Sequence, residues 1–205
     1  TDDAIVGGAS TGDITLGAVT LADDKSLTVG TGVATGITTG TIAGTAGAGT
    51  SDVTFNTTGT VLADAIGTDI GTLTVTQSGG STFSSVDATT VTLTETAGSI
   101  VFNGALTADT LNTAVQGYNL AINAGGTITN AATLSNTGTL TLGDTSADTL
   151  TFTGGVTATS ASSNNIAGTI SAAGTGVIDL GTGAIAVTDD AIVGGASTGD
   201  ITLGA

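Results

Sequence analysis

An all-β chain wound as a right-handed parallel β-solenoid is what the sequence predicts, and three observations predict it. Apolar residues alternate with Thr or another small polar residue in segment after segment, the period-2 signature of a strand with one buried face. No segment carries the i, i+3, i+4 apolar stripe of an amphipathic helix, and text rich in Thr and Gly opposes helix throughout. Phe83, Phe102, Leu120 and Leu140 recur at intervals of about 19–20 residues, which is one coil if two strand segments make a coil.

The alternating segments run in order along the chain. They are GTLTVTQ from Gly71, STFSSV from Ser81, TTVTLTET from Thr89, SIVFNG from Ser99 and ADTLNT from Ala108. YNLAINAGG from Tyr118, GTITNAATLSN from Gly126, GTLTLGD from Gly138 and DTLTFTGG from Asp148 continue the series. Gly, Asn, Asp and Ser separate them and supply the turns. A stack of such coils encloses a narrow core, which suits Val, Ile, Leu, Ala and a few Phe and leaves no room for Trp. Two other all-β designs fit less well. An immunoglobulin-like sandwich buries larger aromatics. A calcium-binding nonapeptide roll needs GGxGxDxUx, whereas GGASTGDIT from Gly7 has Ser10 in place of its Gly and Gly12 in place of its Asp.

Composition narrows function before any motif is read. The 205 residues include no Cys, His, Pro, Met, Trp or Arg, and Lys25 is the single cationic side chain against 17 acidic ones, for a net charge of -16. Without His, thiol or Arg, general acid–base and nucleophilic catalysis lack their usual groups, so no enzyme is expected and no catalytic or cofactor-binding residue is assigned. A polyanion would be repelled, so nucleic acid is not an expected partner. No run of about 18 apolar residues suggests a membrane span. An acidic, Lys-poor surface suits a crowded array outside the cell or at its surface. A chain that begins at Thr1, with neither Met nor a basic leader, is expected to be an excerpt.

An internal repeat is the most specific feature. Thr1–Ala18 and Thr188–Ala205 both read TDDAIVGGASTGDITLGA, identical at 18 positions and offset by 187 residues. The expected organisation is one solenoid unit over residues 1–187 and the start of the next identical unit over 188–205. About ten coils of ~4.8 Å would make each unit roughly 45–50 Å long. Asp3–Leu16 and Asp190–Leu203 are then expected to share one strand–turn–strand conformation and to begin equivalent coils. Ile5, Val6, Ile14 and Leu16 should point inward, as should Ile192, Val193, Ile201 and Leu203. The open coil at either end should invite another copy, end to end.

GALTADTLNTAVQGYNLAINAGGTITNAATLSNTGTLTLG, Gly104–Gly143, resembles the degenerate haemagglutinin-type repeats of filamentous surface adhesins and large β-strand-repeat surface proteins. The likeness is good over these 40 residues and compositional elsewhere, particularly over Gly30–Thr50, which lacks clear large apolar anchors. It implies right-handed parallel β-helices serving as long extracellular shafts, adhesins or fibres on a bacterial surface.

Candidate sites are few. Asp2–Asp3, Asp23–Asp24 and Asp189–Asp190, with Asp13 and Asp200, offer the hard oxygen ligands that suit Ca²⁺, but no DxDxDG-like ligand loop is present and solvated acidic turns account for them. No metal ligand is therefore assigned, and Ca²⁺ is kept only as a candidate. Glu95 is a lone Glu, without the second carboxylate that glycosidase chemistry requires. The Thr72-Leu73-Thr74, Thr139-Leu140-Thr141 and Thr149-Leu150-Thr151 segments suggest a Thr-lined surface that orders water or ice. That function needs one face and one spacing on every coil, and Thr is also simply a good exposed strand residue. Asn103, Asn112, Asn119, Asn123, Asn130 and Asn136 read as turn formers. Asn56-Thr57-Thr58 is an N-glycosylation sequon. The expected role is structural: a repeat unit of an extracellular filament, stalk or fibre, with lateral contacts open and a binding module as the alternative.

Overall fold

The computed structural model of the chain describes residues 2–9, 12–94 and 97–204. Every regular element in them is a β-strand, and every strand pairing is parallel. The chain is a β-solenoid, as the alternation predicts. Each coil contributes three short strand segments rather than the expected two, so three ladders run along the molecule.

The first ladder climbs through Val6, Val29, Phe55, Val75, Leu93 and Thr113 at directly paired rungs. It resumes as Ala132, Val156, Ile178 and Ile201, and across the gap Thr113 Oγ1 donates to Thr133 O at 3.1 Å. The second ladder stacks Ile14, Ile37, Val61, Ser81, Ile100, Leu120, Leu140, Asn164 and Ile185. The third stacks Val19, Ile42, Ile66, Val86, Leu106, Gly126, Leu150, Ile170 and Val193. Like sits above like, so one thin apolar column serves every coil, and its inward residues are buried from Leu27 to Leu180.

The 14-residue strand Gly80–Leu93 shows why the sequence suggests too few segments. Its buried positions are Ser81, Phe83, Val86, Ala88, Val91 and Leu93. Two inward residues two apart are followed by a step of three, where two neighbours both face out and the strand bends to the next face. Alternation continues around two corners without a break in the text. STFSSV and the first five residues of TTVTLTET are therefore pieces of one bent strand.

The 19–20-residue spacing holds through the middle: Val61 pairs with Ser81, Ser81 with Ile100, and Leu120 with Leu140. Outer coils are longer, as Ser26 pairs with Asp52 and Gly126 with Leu150. The extra length lies in corner loops at 31–36, 45–50 and 143–148. Phe83, Phe102, Leu120 and Leu140 do not form one column. Phe83 stacks on Phe102, while Leu120 and Leu140 belong to the neighbouring column two residues earlier on each strand. The Gly30–Thr50 stretch does have anchors, because Ile37 and Ile42 are fully covered.

Some polar side chains in the core have partners, while Thr39 Oγ1, Asp69 Oδ2, Asn136 Oδ1 and Asn164 Oδ1 are buried without one among the described residues. Ser81 Oγ donates to Ser78 Oγ at 2.8 Å, and Asn164 Nδ2 donates to Leu180 O at 3.0 Å. Buried polar groups are tolerated when they are bonded in this way.

Candidate functional site

Several of the acidic residues are coil-to-coil fasteners. Asp3 Oδ1 accepts the Ser26 N–H at 2.9 Å, and Asp13 Oδ1 accepts the Gly36 N–H at 3.1 Å, each from the following coil. Asp23 uses both oxygens, accepting from Ala48 N and Gly49 N at 3.0 Å each. Asp52 Oδ1 accepts from Thr72 N at 2.8 Å, and Asn119 Oδ1 does the same for Thr139 N. Corner loops leave backbone N–H groups outside the ladders, and a carboxylate one coil away satisfies them with a charge-assisted bond.

A second group closes the 143–148 loop. Asp148 Oδ2 accepts from Asp144 N at 3.0 Å, from Thr145 N at 2.7 Å and from Thr145 Oγ1 at 3.1 Å. Asp189 Oδ2 accepts from Ser146 N at 2.9 Å, 43 residues back. Backbone donors from Ser146 and Asp190 hold the Asp189 carboxyl below its ordinary value. Burial pulls Asp148 upward, but the Thr145 and Asp144 N–H groups outweigh it and its value falls. Asp144 moves up, through burial and through Asp148 beside it. Among the described residues no group of three His, Cys, Asp or Glu is placed to hold a metal ion. Glu95 lies outside the described residues.

The three TxT segments do not share a face. Thr72 and Thr74 lie on the first ladder, Thr139 and Thr141 on the second, and Thr149 and Thr151 on the third. A different set converges. Thr28, Thr54, Thr74 and Thr92 stack as one outward column, and Thr72, Thr90 and Thr110 stack beside it. Asp52 and Asn112 bound the block. Register, which one sequence alone does not display, brings these seven Thr together.

Most of the Asn residues form rungs between coils rather than isolated turns. Asn123 Nδ2 donates to Asn103 Oδ1 at 3.1 Å, Asn119 Nδ2 to Ser99 Oγ at 3.2 Å and Asn130 Nδ2 to Thr110 Oγ1 at 3.0 Å. Asn136 is buried instead, with Nδ2 3.4 Å from Thr139 O. The sequon is engaged internally. Thr57 is fully buried, its hydroxyl donating to Thr35 O at 2.6 Å, and Asn56 Oδ1 accepts from Gln77 Nε2 at 3.1 Å.

The two copies of the repeated segment can be compared directly. In both copies one strand is followed by a second: Ala4–Val6 and Ile14–Leu16 in one, the end of Ile185–Gly195 and Ile201–Thr202 in the other. Gly7 and its counterpart Gly194 share a left-handed φ, 136° and 145°. They sit on different ladders, however. Ala4–Val6 belongs to the first and Ala191–Val193 to the third; Ile14 belongs to the second and Ile201 to the first. The expectation of equivalent coils therefore holds for strand order but not for face, and the path differs in detail, since Gly204 is left-handed at φ 68° and its counterpart Gly17 is not. Ile5 and Ile192 also point outward, 71% and 67% exposed, because the inward positions of their strands fall to their neighbours. Ile14 is 6% exposed while Ile201, aligned with buried Ile178, is 48% exposed.

Comparison with known protein families, with characterised proteins and with solved structures finds no match to this chain. No helix among the described residues is long and apolar enough to cross a membrane.

Proposed function

We propose that this chain is the repeat unit of a long extracellular or cell-surface shaft that stacks end to end and does no chemistry of its own. One observation carries the reading. The second copy of the 18-residue segment packs on the last coil of the first unit through ladder pairings, Thr169 with Ile192 and Ile178 with Ile201. A unit that passes into its successor through ordinary rungs is suited to a continuous rod. Several of the polar groups described above are engaged in fastening coils, which leaves the acidic surface to keep rods apart and soluble. The likeness of Gly104–Gly143 to surface adhesin repeats agrees with this role. Electron microscopy of the assembled protein tests it: a smooth rod with a ~4.8 Å axial repeat is expected, and beads on linkers would overturn it.

A second reading is favoured by the seven-Thr block on the first ladder, a polar lattice with ~4.8 Å rung spacing that could order water or ice. Its small extent, bounded by Asp52 and Asn112, places it second. Measurable thermal hysteresis would bring it forward.

A further inference from the structure

Asn103–Gly104 is the one Asn-Gly pair in the sequence. It follows Phe102 at a corner in mid-stack, where the chain turns from the second face to the third with a coil on either side. Asn103 is exposed there. Its backbone is pinned to the preceding coil, Asn103 N donating to Phe83 O at 2.9 Å, and the next coil is pinned in turn, Asn123 N donating to Phe102 O at 2.9 Å.

Three features of this pair converge on one reaction. The carboxamide oxygen is held from the following coil, since Asn123 Nδ2 donates to Asn103 Oδ1 at 3.1 Å. Asn103 Nδ2 and Gly104 N donate no hydrogen bond among the described residues. Gly104 brings no side chain to crowd its own nitrogen, and the fold keeps it so, because a Cβ there would strike Ser84 O on the preceding coil.

We infer that Asn103 is a self-modification site, at which Gly104 N attacks Asn103 Cγ and the side chain is converted through a cyclic imide to a carboxylate. The bond from Gly104 N to Cγ forms as the Cγ–Nδ2 bond breaks, and the Gly104 amide proton leaves with Nδ2 as ammonia. Water then opens the ring. Addition at Cγ restores the ordinary backbone with Asp at this position, and addition at the main-chain carbonyl carbon leaves an isoaspartyl linkage through Cγ. Water enters and ammonia leaves, so no oxidant or cofactor is consumed. During the attack negative charge gathers on Asn103 Oδ1, the atom that Asn123 Nδ2 already faces, so Asn123 stabilises the developing oxyanion.

Neighbouring asparagines lack this combination. Asn119 is tied at both ends, Nδ2 to Ser99 Oγ and Oδ1 to Thr139 N, and Leu120 follows it. Asn123, Asn130 and Asn136 precede Ala or Thr, whose side chains obstruct the attacking nitrogen. The product also suits its place. A carboxylate at 103 still accepts from Asn123 Nδ2, now with a charge-assisted bond. The isoaspartyl form instead adds a backbone atom between Asn103 N, bonded to Phe83 O, and Ala105 O, bonded to Val86 N, and so loosens the corner.

Prolonged incubation of the folded protein at mildly alkaline pH tests the site. Ammonia release is followed, isoaspartate is read by labelling with an isoaspartyl methyltransferase, and peptide mass spectrometry locates the change. Conversion concentrated at residue 103 is expected, and Asn123→Ala should slow it about fivefold by removing one hydrogen bond to the oxyanion. Asn123→Asp keeps the size of the side chain but turns an acceptor and a negative charge toward Oδ1, and should slow it at least as much. Asn103→Gln, whose attack needs a larger ring, should abolish it; circular dichroism verifies the fold of each variant. Conversion absent from 103, or spread evenly over the other Asn residues, would overturn the site. Conversion at 103 that is as fast in both Asn123 variants as in the wild type would overturn the oxyanion role of Asn123.

Discussion

Phe83 and Phe102 stack on adjacent coils at directly paired rungs, ring centroids 5.3 Å apart and planes 18° from parallel. Phe55 meets Phe83 from the other side at 5.9 Å and 59°. These rings lie where the coils are shortest, 18 to 20 residues each.

Truncating the stack should therefore divide the rod. Phe102→Ala is expected to cost about 3–5 kcal/mol, because neighbouring coils cannot collapse into the gap without breaking ladder bonds. Each coil touches only its neighbours, so urea unfolding should change from one transition to two. Ala121→Ser, on an outward position of the next rung, should shift stability by less than about 0.5 kcal/mol. Equal effects from both variants would refute this account of the core.

Glycine at one corner is a steric requirement. Gly126 has φ +130°, and a Cβ there would strike the Leu106 backbone on the coil below. Gly126→Ala should lose about 2 kcal/mol or more. At Gly117 a Cβ would meet nothing within 4 Å and φ is not left-handed, so Gly117→Ala should be neutral or gain up to about 1 kcal/mol. Thermal melts of the pair decide the matter.

Acid should loosen the fasteners. Backbone donors hold Asp3 and Asp189 below the ordinary 3.8, and Asp148 ends below it despite burial. A carboxylate lowered in the fold lends stability that is complete above its unfolded value and lost as pH falls through the folded one. Asp144, raised, does the reverse: it lends stability at low pH that is lost as pH rises through its folded value. Three lowered groups oppose one raised group, so the melting temperature should hold to about pH 5 and fall below about pH 4. Asp148→Asn should flatten that fall. A melting temperature that rises steadily toward pH 2 would contradict the assignment.

Divalent cations should be dispensable. The paired oxygens of Asp23 are occupied by Ala48 N and Gly49 N, so EDTA should leave the melting temperature unchanged. Asp23→Ala should cost about 1–2 kcal/mol by leaving those donors to solvent. Stabilisation by millimolar Ca²⁺ that disappears in Asp23→Ala would show the carboxylate acting as a metal ligand instead.

Strand alternation is legible in the sequence because one-sided burial imposes it residue by residue. The count of strands per coil is not, although its signal is present. Ser81, Phe83, Val86, Ala88, Val91 and Leu93 step by two and then three, and each three marks a corner. A strict search for period 2 passes over such a step. Ile5 misleads for a related reason: in Ala4-Ile5-Val6 the larger side chain is the natural choice for the core, yet pairing with Leu27 and Val29 commits Ala4 and Val6 inward. The fasteners are harder still to read. Asp3 and Ser26 are 23 residues apart, and coil lengths that vary through corner loops hide which carboxylate meets which N–H until the register is known.

The ladder shift between the two copies has a geometric consequence for an array. A 187-residue advance carries the chain through eight full turns and two of the three faces, so each unit is rotated by about two-thirds of a turn relative to the one before. At ~4.8 Å per coil, one unit adds roughly 42 Å rather than 45–50 Å. Three units return to the starting orientation after roughly 125 Å. A shaft of such units would be a screw with threefold character: any patch carried once per unit, the seven-Thr block included, would wind around the rod and be offered on all three sides. Chemically identical units can in this way contact neighbours in three directions without any symmetry within the unit itself.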